Sequence, residues 1–344
     1  MLKNLFYISC LFVLTNCKNA KKETKIETKV ESQKKHSVWQ AVLSTDESKP
    51  VPRHEAAFVR VGQEFYLLGG RNIRPVSIYN TQTGVWTKGS APPIEMHHFQ
   101  PVVYNNKIYC ISAMTGGWPN ETPTTHVYIY DPTTDAWSKG DKIPKERRRG
   151  STGNVLYNDK IYIACGIRNG HVGDHKNWLD RYDPTTGKWE ILADAPRARD
   201  HFQAVLVDGK IVAPAGRNTG IVPDEAFSGT IAAVDVYDIA SNTWATLPNN
   251  IPTQRAGNAA INFNGELMVV GGESTTQEKA HSEVEVLNLT NNEWRTLTPL
   301  IEGRHGSGLL HFEGEIYIAS GCGNRGGNPE LFSMEKYTNS KVLN

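Results

Sequence analysis

The chain has 344 residues, of which 39% are hydrophobic, and its formal net charge at neutral pH is +1. This length allows one large core or two modest ones, and 30 glycines with 18 prolines indicate a fold rich in turns. With 37 basic and 36 acidic residues, the composition argues against a general nucleic-acid-binding protein.

The N-terminal residues predict export. Lys3 precedes an apolar run from residue 5 to 14, which is too short to span a bilayer, and the sequence Leu-Thr-Asn-Cys then ends at Cys17. This segment resembles the signal peptide of bacterial lipoproteins, although the two residues before the cysteine are not the usual small ones. The resemblance implies a signal peptide over residues 1–16 and a lipid on Cys17. An ordinary secretory signal is the alternative, and both imply an exported protein.

Residues 17–35 are expected to form a flexible tether. From residue 18 to 35 the chain has seven lysines, three glutamates and almost no apolar residues, so it cannot bury a core. The remaining residues, 36–344, have 29 basic and 33 acidic residues and are mildly acidic. We expect an outer-membrane lipoprotein, on the periplasmic side or at the cell surface, that meets the membrane only through its lipid anchor.

Six tryptophans recur at intervals of about fifty residues, which indicates a repeat fold. A turn block precedes most of them, as in YDPTTDAW and YDPTTGKW, and such turns before an aromatic residue are typical of hairpins. Earlier in each unit lies a second hairpin, as in VLYNDKIYIACG. Each unit therefore predicts four short strands. The tryptophans are Trp39, Trp86, Trp137, Trp189, Trp244 and Trp294.

This pattern resembles the kelch repeat, in which each unit is one four-stranded blade of a β-propeller. The likeness rests on a glycine ending the second strand, the Tyr-Asp-Pro turn and the tryptophan, and it extends over residues 36–344. The sixth unit ends without its tryptophan strand, so the strand around Trp39 is expected to complete the last blade. The prediction is an all-β, six-bladed kelch-type propeller. Its units open at Arg53, Met96, Arg149, Arg199, Arg255 and Arg304.

In kelch propellers, the loops entering the first strand of each blade lie on one face, around the central channel. The resemblance implies that this face carries several histidines, and that His-Phe-Gln occurs in equivalent places of blades 2 and 4. The arginines that open blades 3 to 6 are expected to be structural and to bond neighbouring blades. The histidines of the entering loops are His54, His97, His98, His201 and His305.

The loops leaving the second strand share this face and are long in blades 2 to 4. Trp118 lies in one of them, where an exposed ring would stack on a sugar; a tryptophan covering the base of its own loop is the alternative. The other candidate binding residues of these loops are Arg71, Arg168, His171, His175, Arg217, Asn218 and Arg325.

These groups indicate binding of an anionic sugar. Arg71 and Arg217 are expected to hold a carboxylate or sulfate, and imidazoles are the usual proton-transfer groups. The set is similar to that of propeller-fold uronate lyases and dehydratases, although no tyrosine occupies the entering loops here. The resemblance implies a carbon–oxygen lyase that cleaves uronic-acid-containing or sulfated poly- or oligosaccharides by β-elimination. In this hypothesis His98 and His201 exchange the proton.

Two other functions fit the same sequence. Sugar-acid epimerisation or mutarotation needs the same acid, base and carboxylate clamp, and exported kelch proteins include sialic-acid mutarotases. A non-catalytic glycan- or protein-binding module is the third, because many kelch domains have that role. Other polysaccharide-degrading proteins are potential partners.

No cofactor is certain from this sequence, and no tight metal-ligand motif is present. We therefore assign no metal ligand from the sequence. Binding of a divalent metal ion is left as an alternative, because several histidines are expected to lie near one another. These are His97, His98, His171, His175 and His201.

Overall fold

Six four-stranded antiparallel sheets form the predicted propeller, each sheet being one blade. The computed structural model describes residues 37–219 and 226–338. The signal peptide, the lipidated Cys17 and the tether, predicted within residues 1–35, lie outside the described residues. Among the described residues, no helix has the length and apolar character needed to cross a membrane.

The first three blades contain most of the irregular structure. Blade 1 consists of β2 (Ala56–Val61), β3 (Glu64–Gly69), β4 (Ser77–Asn80) and β5 (Val85–Lys88). Blade 2 consists of β6 (Val102–Tyr104), β7 (Lys107–Cys110), β10 (His126–Asp131) and β11 (Ala136–Lys142), with an extra hairpin of β8 (Met114–Thr115) and β9 (Thr122–Pro123). A 3-10 helix, Lys145–Arg147, follows. Blade 3 consists of β12 (Gly153–Tyr157), β13 (Lys160–Ala164), β16 (Leu179–Tyr182) and β17 (Trp189–Ile191), with an extra hairpin of β14 (Ile167–Asn169) and β15 (Gly173–His175).

The last three blades are more regular. Blade 4 consists of β18 (Val205–Val207), β19 (Lys210–Ala213), β20 (Asp235–Asp238) and β21 (Thr243–Thr246). Blade 5 consists of β22 (Ala259–Phe263), β23 (Glu266–Val270), β24 (Val284–Asn288) and β25 (Glu293–Leu297). Blade 6 consists of β26 (Leu309–Phe312), β27 (Glu315–Ala319), β28 (Met334–Thr338) and β1 (Val38–Val42).

The two ends of the described chain meet in blade 6. Strand β1 pairs antiparallel with β28, with Val38 opposite Thr338 and Val42 opposite Met334. Trp39 is buried on this strand, its ring centroid 5.4 Å from that of Tyr337. The predicted closure by the N-terminal strand is therefore confirmed, and no unpaired strand edge is left between the first and last blades.

The arginines that open blades 3 to 6 are buried and lie within their own blades. Each binds a carboxylate on the third strand of the same blade, which ties the start of the blade to its middle. The expectation that these arginines bond neighbouring blades is wrong for the guanidinium groups, because their charged partners lie about 30 residues later in the same unit. The backbone carbonyls of Arg199, Arg255 and Arg304 do accept an N–H from the preceding blade. The pairs are Arg149–Asp180, Arg199–Asp235, Arg255–Glu285 and Arg304–Glu335.

The glutamines of the two His-Phe-Gln triplets connect the blades instead. The side-chain oxygen of Gln100 accepts the backbone N–H groups of Asn154 and Ala204, each at 2.9 Å. The side-chain oxygen of Gln203 accepts the N–H of Ala260 at 3.0 Å, and its amide donates to the carbonyl of Ser307 at 3.0 Å. Gln100 thus joins blades 2, 3 and 4, and Gln203 joins blades 4, 5 and 6.

Replacing Gln203 with alanine is expected to lower the free energy of unfolding by about 1–3 kcal/mol, because it leaves buried backbone groups without a partner. Gln82, exposed in a turn, is the matched control, and its replacement should change the free energy of unfolding by no more than about 0.5 kcal/mol. Urea denaturation monitored by tryptophan fluorescence measures both. Equal midpoints for the two variants would show that the glutamine does not connect the blades.

Candidate functional site

Six equivalent residues, one from each blade, surround one end of the channel in the left-handed conformation. Their φ angles lie between 52° and 64°. Backbone hydrogen bonds join successive members, as from the N–H of His98 to the carbonyl of Glu55 at 3.0 Å. Four of the six are not glycine, at a cost of about 1–2 kcal/mol each. Conformational cost of this kind is common at functional sites. The residues are Glu55, His98, Ser151, His201, Gly257 and Gly306.

A cavity of about 480 Å³, which we call the mouth cavity, opens above this ring. Glu55 and His98 lie at its floor, where it meets the channel. Trp118 and Phe227 form one wall, with ring centroids 6.5 Å apart and planes 10° apart. Trp118 is 54% exposed, so its ring is available to a ligand and does not merely cover its own loop.

Three imidazoles, of His98, His171 and His201, converge at the floor of the mouth cavity; we call them the imidazole trio. Their ring centroids are 4.7 to 5.2 Å apart, and the Nε2 atoms of His171 and His201 are separated by 3.2 Å. All three are buried. Blade 3 has only Ser151 at its ring position, and His171 comes from the hairpin of β14 and β15. Blades 2, 3 and 4 therefore each supply one imidazole.

Each member of the trio uses its Nδ1 atom on a neighbouring polar group. His201 Nδ1 bonds to Asp200, and His171 Nδ1 bonds to Glu121 at 3.0 Å. His98 Nδ1 contacts His97 Nδ1. Among the described residues, His98 Nε2 has no hydrogen-bond partner, and the carboxylate of Glu55 lies 3.3 Å from it. His171 and His201 thus face each other through their Nε2 atoms, and the Nε2 atom of His98 is left for another partner.

The carboxylates that contact the trio, Asp200 and Glu121, are held in their charged form. Burial would raise the pKa of Asp200, but its bond with His201 and the charge of Arg217 lower it to about 2. Burial would also raise the pKa of Glu121, but its contacts with His171 and Arg71 lower it to about 2. Burial lowers the pKa of His171 to about 4. At neutral pH, ionised carboxylates therefore lie behind a neutral His171.

His98 and His305 are shifted in opposite directions. Burial holds the pKa of His98 well below its usual value, outweighing the attraction of Glu55. Burial also acts against the charged form of His305, yet Glu273 and Glu55 hold its pKa well above the usual value. The two carboxylates lie 3.4 and 3.5 Å from its ring nitrogens. His305 is therefore a buried imidazolium between two glutamates.

Three arginines near the mouth cavity have glutamate partners. Arg217 is buried and donates to Glu273 at 2.7 Å, and Arg71 donates to Glu121. Arg74 donates to Glu330 at 2.7 Å. The sequence predicted Arg71 and Arg217 as a carboxylate clamp but missed these glutamates. Both are thus neutralised by the protein itself.

His54 and His97 lie at the same site in different settings. His54 Nδ1 bonds to Glu330 at 2.7 Å, and its side chain lines the mouth cavity. His97 is buried behind His98, with its Nε2 bonding the carbonyl of Gly116 at 3.1 Å, and burial lowers its pKa to about 4. His54 therefore faces the mouth cavity, whereas His97 supports the trio.

Besides His97 and Arg217, four more predicted binding residues do not line the mouth cavity. His175 lies 3.4 Å from Asp200, beneath the trio. Arg168 is partly exposed and lies 3.7 Å from Asp174. Asn218 donates its backbone N–H to Gly229 at 3.0 Å. Arg325 lies over the ring of Phe227, 5.7 Å from its centroid. These residues surround the site without facing its interior.

Comparisons with known proteins agree with this fold. Residues 18–274 match the family model described as the Attractin/LZTR1 beta-propeller, and residues 254–301 match the Kelch motif. The chain belongs to the kelch-repeat β-propeller family.

Individual relatives are distant. Kelch-like protein terF of Aspergillus terreus is 27% identical over 288 residues, which are 78% of this chain and 61% of that protein. Kelch-like protein 23 of Homo sapiens is 26% identical over 292 residues, 83% of this chain and 48% of that protein. This chain thus spans only about half of these relatives. A solved structure titled "Structure of YjhT" has a TM-score of 0.71 at 17% identity, covers 85% of this chain and 96% of that chain, and shows the same fold.

Proposed function

We propose that the protein is an enzyme that eliminates across a carbon–oxygen bond of a uronic-acid-containing saccharide, in the mouth cavity. The arrangement of His54 is the observation that supports this most. Its Nδ1 is held by Glu330, which Arg74 holds in turn. No described residue hydrogen-bonds to its Nε2, which belongs to a side chain lining the mouth cavity. An imidazole oriented by a carboxylate, with its second nitrogen free, is the usual arrangement of a general base.

The reaction needs one proton abstraction. His54 Nε2 removes the proton on the carbon next to the sugar carboxylate, and the electron pair of that C–H bond forms a carbon–carbon double bond. The carbon–oxygen bond on the adjacent carbon breaks, and the departing oxygen takes a proton from water. The protonated His54 then returns its proton to the solvent. The ring of Trp118 offers a face on which a sugar ring stacks.

The base in this proposal differs from the sequence-based hypothesis. His98 and His201 were predicted to exchange the proton, but their Nδ1 atoms are held by His97 and Asp200. His201 Nε2 lies 3.2 Å from His171 Nε2, and His98 Nε2 lies 3.3 Å from the carboxylate of Glu55. His54, predicted only to bind substrate, has the freer ring nitrogen. We therefore place proton abstraction on His54.

Sugar-acid epimerisation is the second candidate. The mouth cavity, at about 480 Å³, has room for a small saccharide. Removal of the proton by His54 and its replacement by a proton from water on the opposite face would invert the carbon without breaking the carbon–oxygen bond.

The test is a screen of uronic-acid oligosaccharides and free sugar acids with the purified protein. Elimination creates a conjugated double bond, so we expect increasing ultraviolet absorbance and a matching new product in mass spectrometry. Inversion at unchanged mass, detected by NMR, would replace elimination with epimerisation. Saccharide binding without any conversion would instead identify a non-catalytic binding module and overturn the proposal.

A further inference from the structure

We infer that His98, His171 and His201 form a binding site for a divalent transition metal ion of the zinc type. The site itself is argued from geometry, and its role in catalysis rests on the proposed function. The three side chains offer one ring nitrogen each, and these atoms lie within 4.8 Å of one another.

The first argument is the direction of the lone pairs. Asp200 and Glu121 are acceptors, so His201 and His171 donate their Nδ1 protons to them. A neutral imidazole with its proton on Nδ1 presents a lone pair at Nε2. The Nε2 atoms of His171 and His201 lie 3.2 Å apart, so two lone pairs face each other unless a cation binds them.

The second argument is the spacing. Two nitrogens bound to zinc at about 2.0–2.1 Å with a tetrahedral angle lie about 3.3 Å apart. The separation of 3.2 Å between His171 and His201 matches this value. Glu55 Oε2 lies 3.3 Å from His98 Nε2, which places a fourth ligand of the right type beside the trio. Either Glu55, a water molecule or the substrate can complete the coordination.

A proton shared between two imidazoles is the competing explanation. It would satisfy the pair of His171 and His201, but it would leave His98 Nε2, buried and without a hydrogen-bond partner among the described residues, unexplained. A metal ion satisfies all three nitrogens together. Asp200, Glu121 and His97 then act as the outer partners that orient metal-binding imidazoles through their second nitrogen.

Such a metal ion would provide a positive charge for the sugar carboxylate, which the proposed elimination needs. The reaction requires a cation on the sugar carboxylate, because removal of the neighbouring proton places negative charge there. Arg71, Arg74 and Arg217 are each neutralised by a glutamate. A divalent ion at the floor of the mouth cavity would bind the carboxylate directly.

Metal binding by the purified protein tests the inference. We expect one Zn²⁺ per chain by calorimetry and elemental analysis, and visible absorption of a Co²⁺–imidazole complex after replacement by Co²⁺. His171→Ala should weaken Zn²⁺ binding more than about 100-fold, and Asp200→Asn about 10–100-fold. His54→Ala is the control from the same cavity and should bind Zn²⁺ as tightly as the wild type, with thermal melts confirming that each variant is folded.

Two outcomes would overturn the site: no Zn²⁺ or Co²⁺ uptake by the wild type, or unchanged binding by His171→Ala. The experiments also distinguish an error in the metal site from an error in the proposed function. Conversion of substrate at full rate in a chelator, by protein shown to be metal-free, would overturn the role of the metal in catalysis and keep the elimination. Zn²⁺ binding through the trio without conversion of any sugar acid would keep the site and overturn the elimination.

Discussion

His54→Ala is expected to lower kcat/KM for elimination by about 10²–10⁴-fold, the usual contribution of a positioned general base. The side chain lies at the mouth cavity with Nδ1 fixed by Glu330, so its loss removes the proton acceptor while the trio stays intact. The measurement is the initial rate of double-bond formation at several concentrations of the substrate found in the screen.

Glu330→Gln provides a second measurement at the same position. An amide oxygen can still accept the Nδ1 proton, but it stabilises the imidazolium less than a carboxylate does, so we expect a smaller loss in rate than for His54→Ala. The control is His311→Ala, because His311 lies at the other end of the channel. A His54→Ala enzyme as active as the His311→Ala enzyme would remove His54 from the mechanism.

Arg255→Met is expected to lower the free energy of unfolding by about 3–5 kcal/mol. Arg255 is fully buried and binds Glu285 on the third strand of blade 5, and its removal leaves a buried carboxylate without its cation. A methionine fills similar space, so the loss reports the unpaired charge more than a cavity.

The matched control lies in the same blade. Arg295 binds Glu266 in a pair that is partly exposed, with 44% of the arginine side chain accessible. Arg295→Met should lower the free energy of unfolding by less than about 1 kcal/mol, because solvent screens such pairs. Urea titrations of both variants give the comparison. If both cost the same, the buried arginines are not what holds each blade together.

The repeat explains why so much of the architecture could be predicted. Trp39 stands one repeat length before Trp86 and the last unit lacks its own tryptophan, so counting was enough to predict the closure of blade 6. The arginine partners could not be predicted in this way. Glu285 is one of several acidic residues in its unit, and only the pairing of β23 with β24 brings it beside Arg255.

In the candidate site, too, some residues could be predicted from the repeat and others could not. His98 and His201 hold equivalent positions in two repeats, so their approach to one channel follows from the alignment of the units. His171 has no such counterpart, because it lies in the hairpin of β14 and β15. Among the described residues, blades 4 and 6 have only isolated bridges at this place, such as Arg217 with Thr230. Glu121 and Phe227 also come from loops that do not repeat. The acidic residue directly before His201 was the one local signal of an oriented imidazole.

The shared sheet of blade 6 sets an order on folding. Strand β1 is the first strand of the propeller in chain order, and its partner β28, which ends at Thr338, is the last. Blades 1 to 5 can pair their strands locally during synthesis, whereas blade 6 can be completed only after all six repeats have emerged. Contacts of such long sequence separation form slowly. A chain shortened before Met334 would therefore keep most of its blades yet leave β27 as an open edge, prone to aggregation.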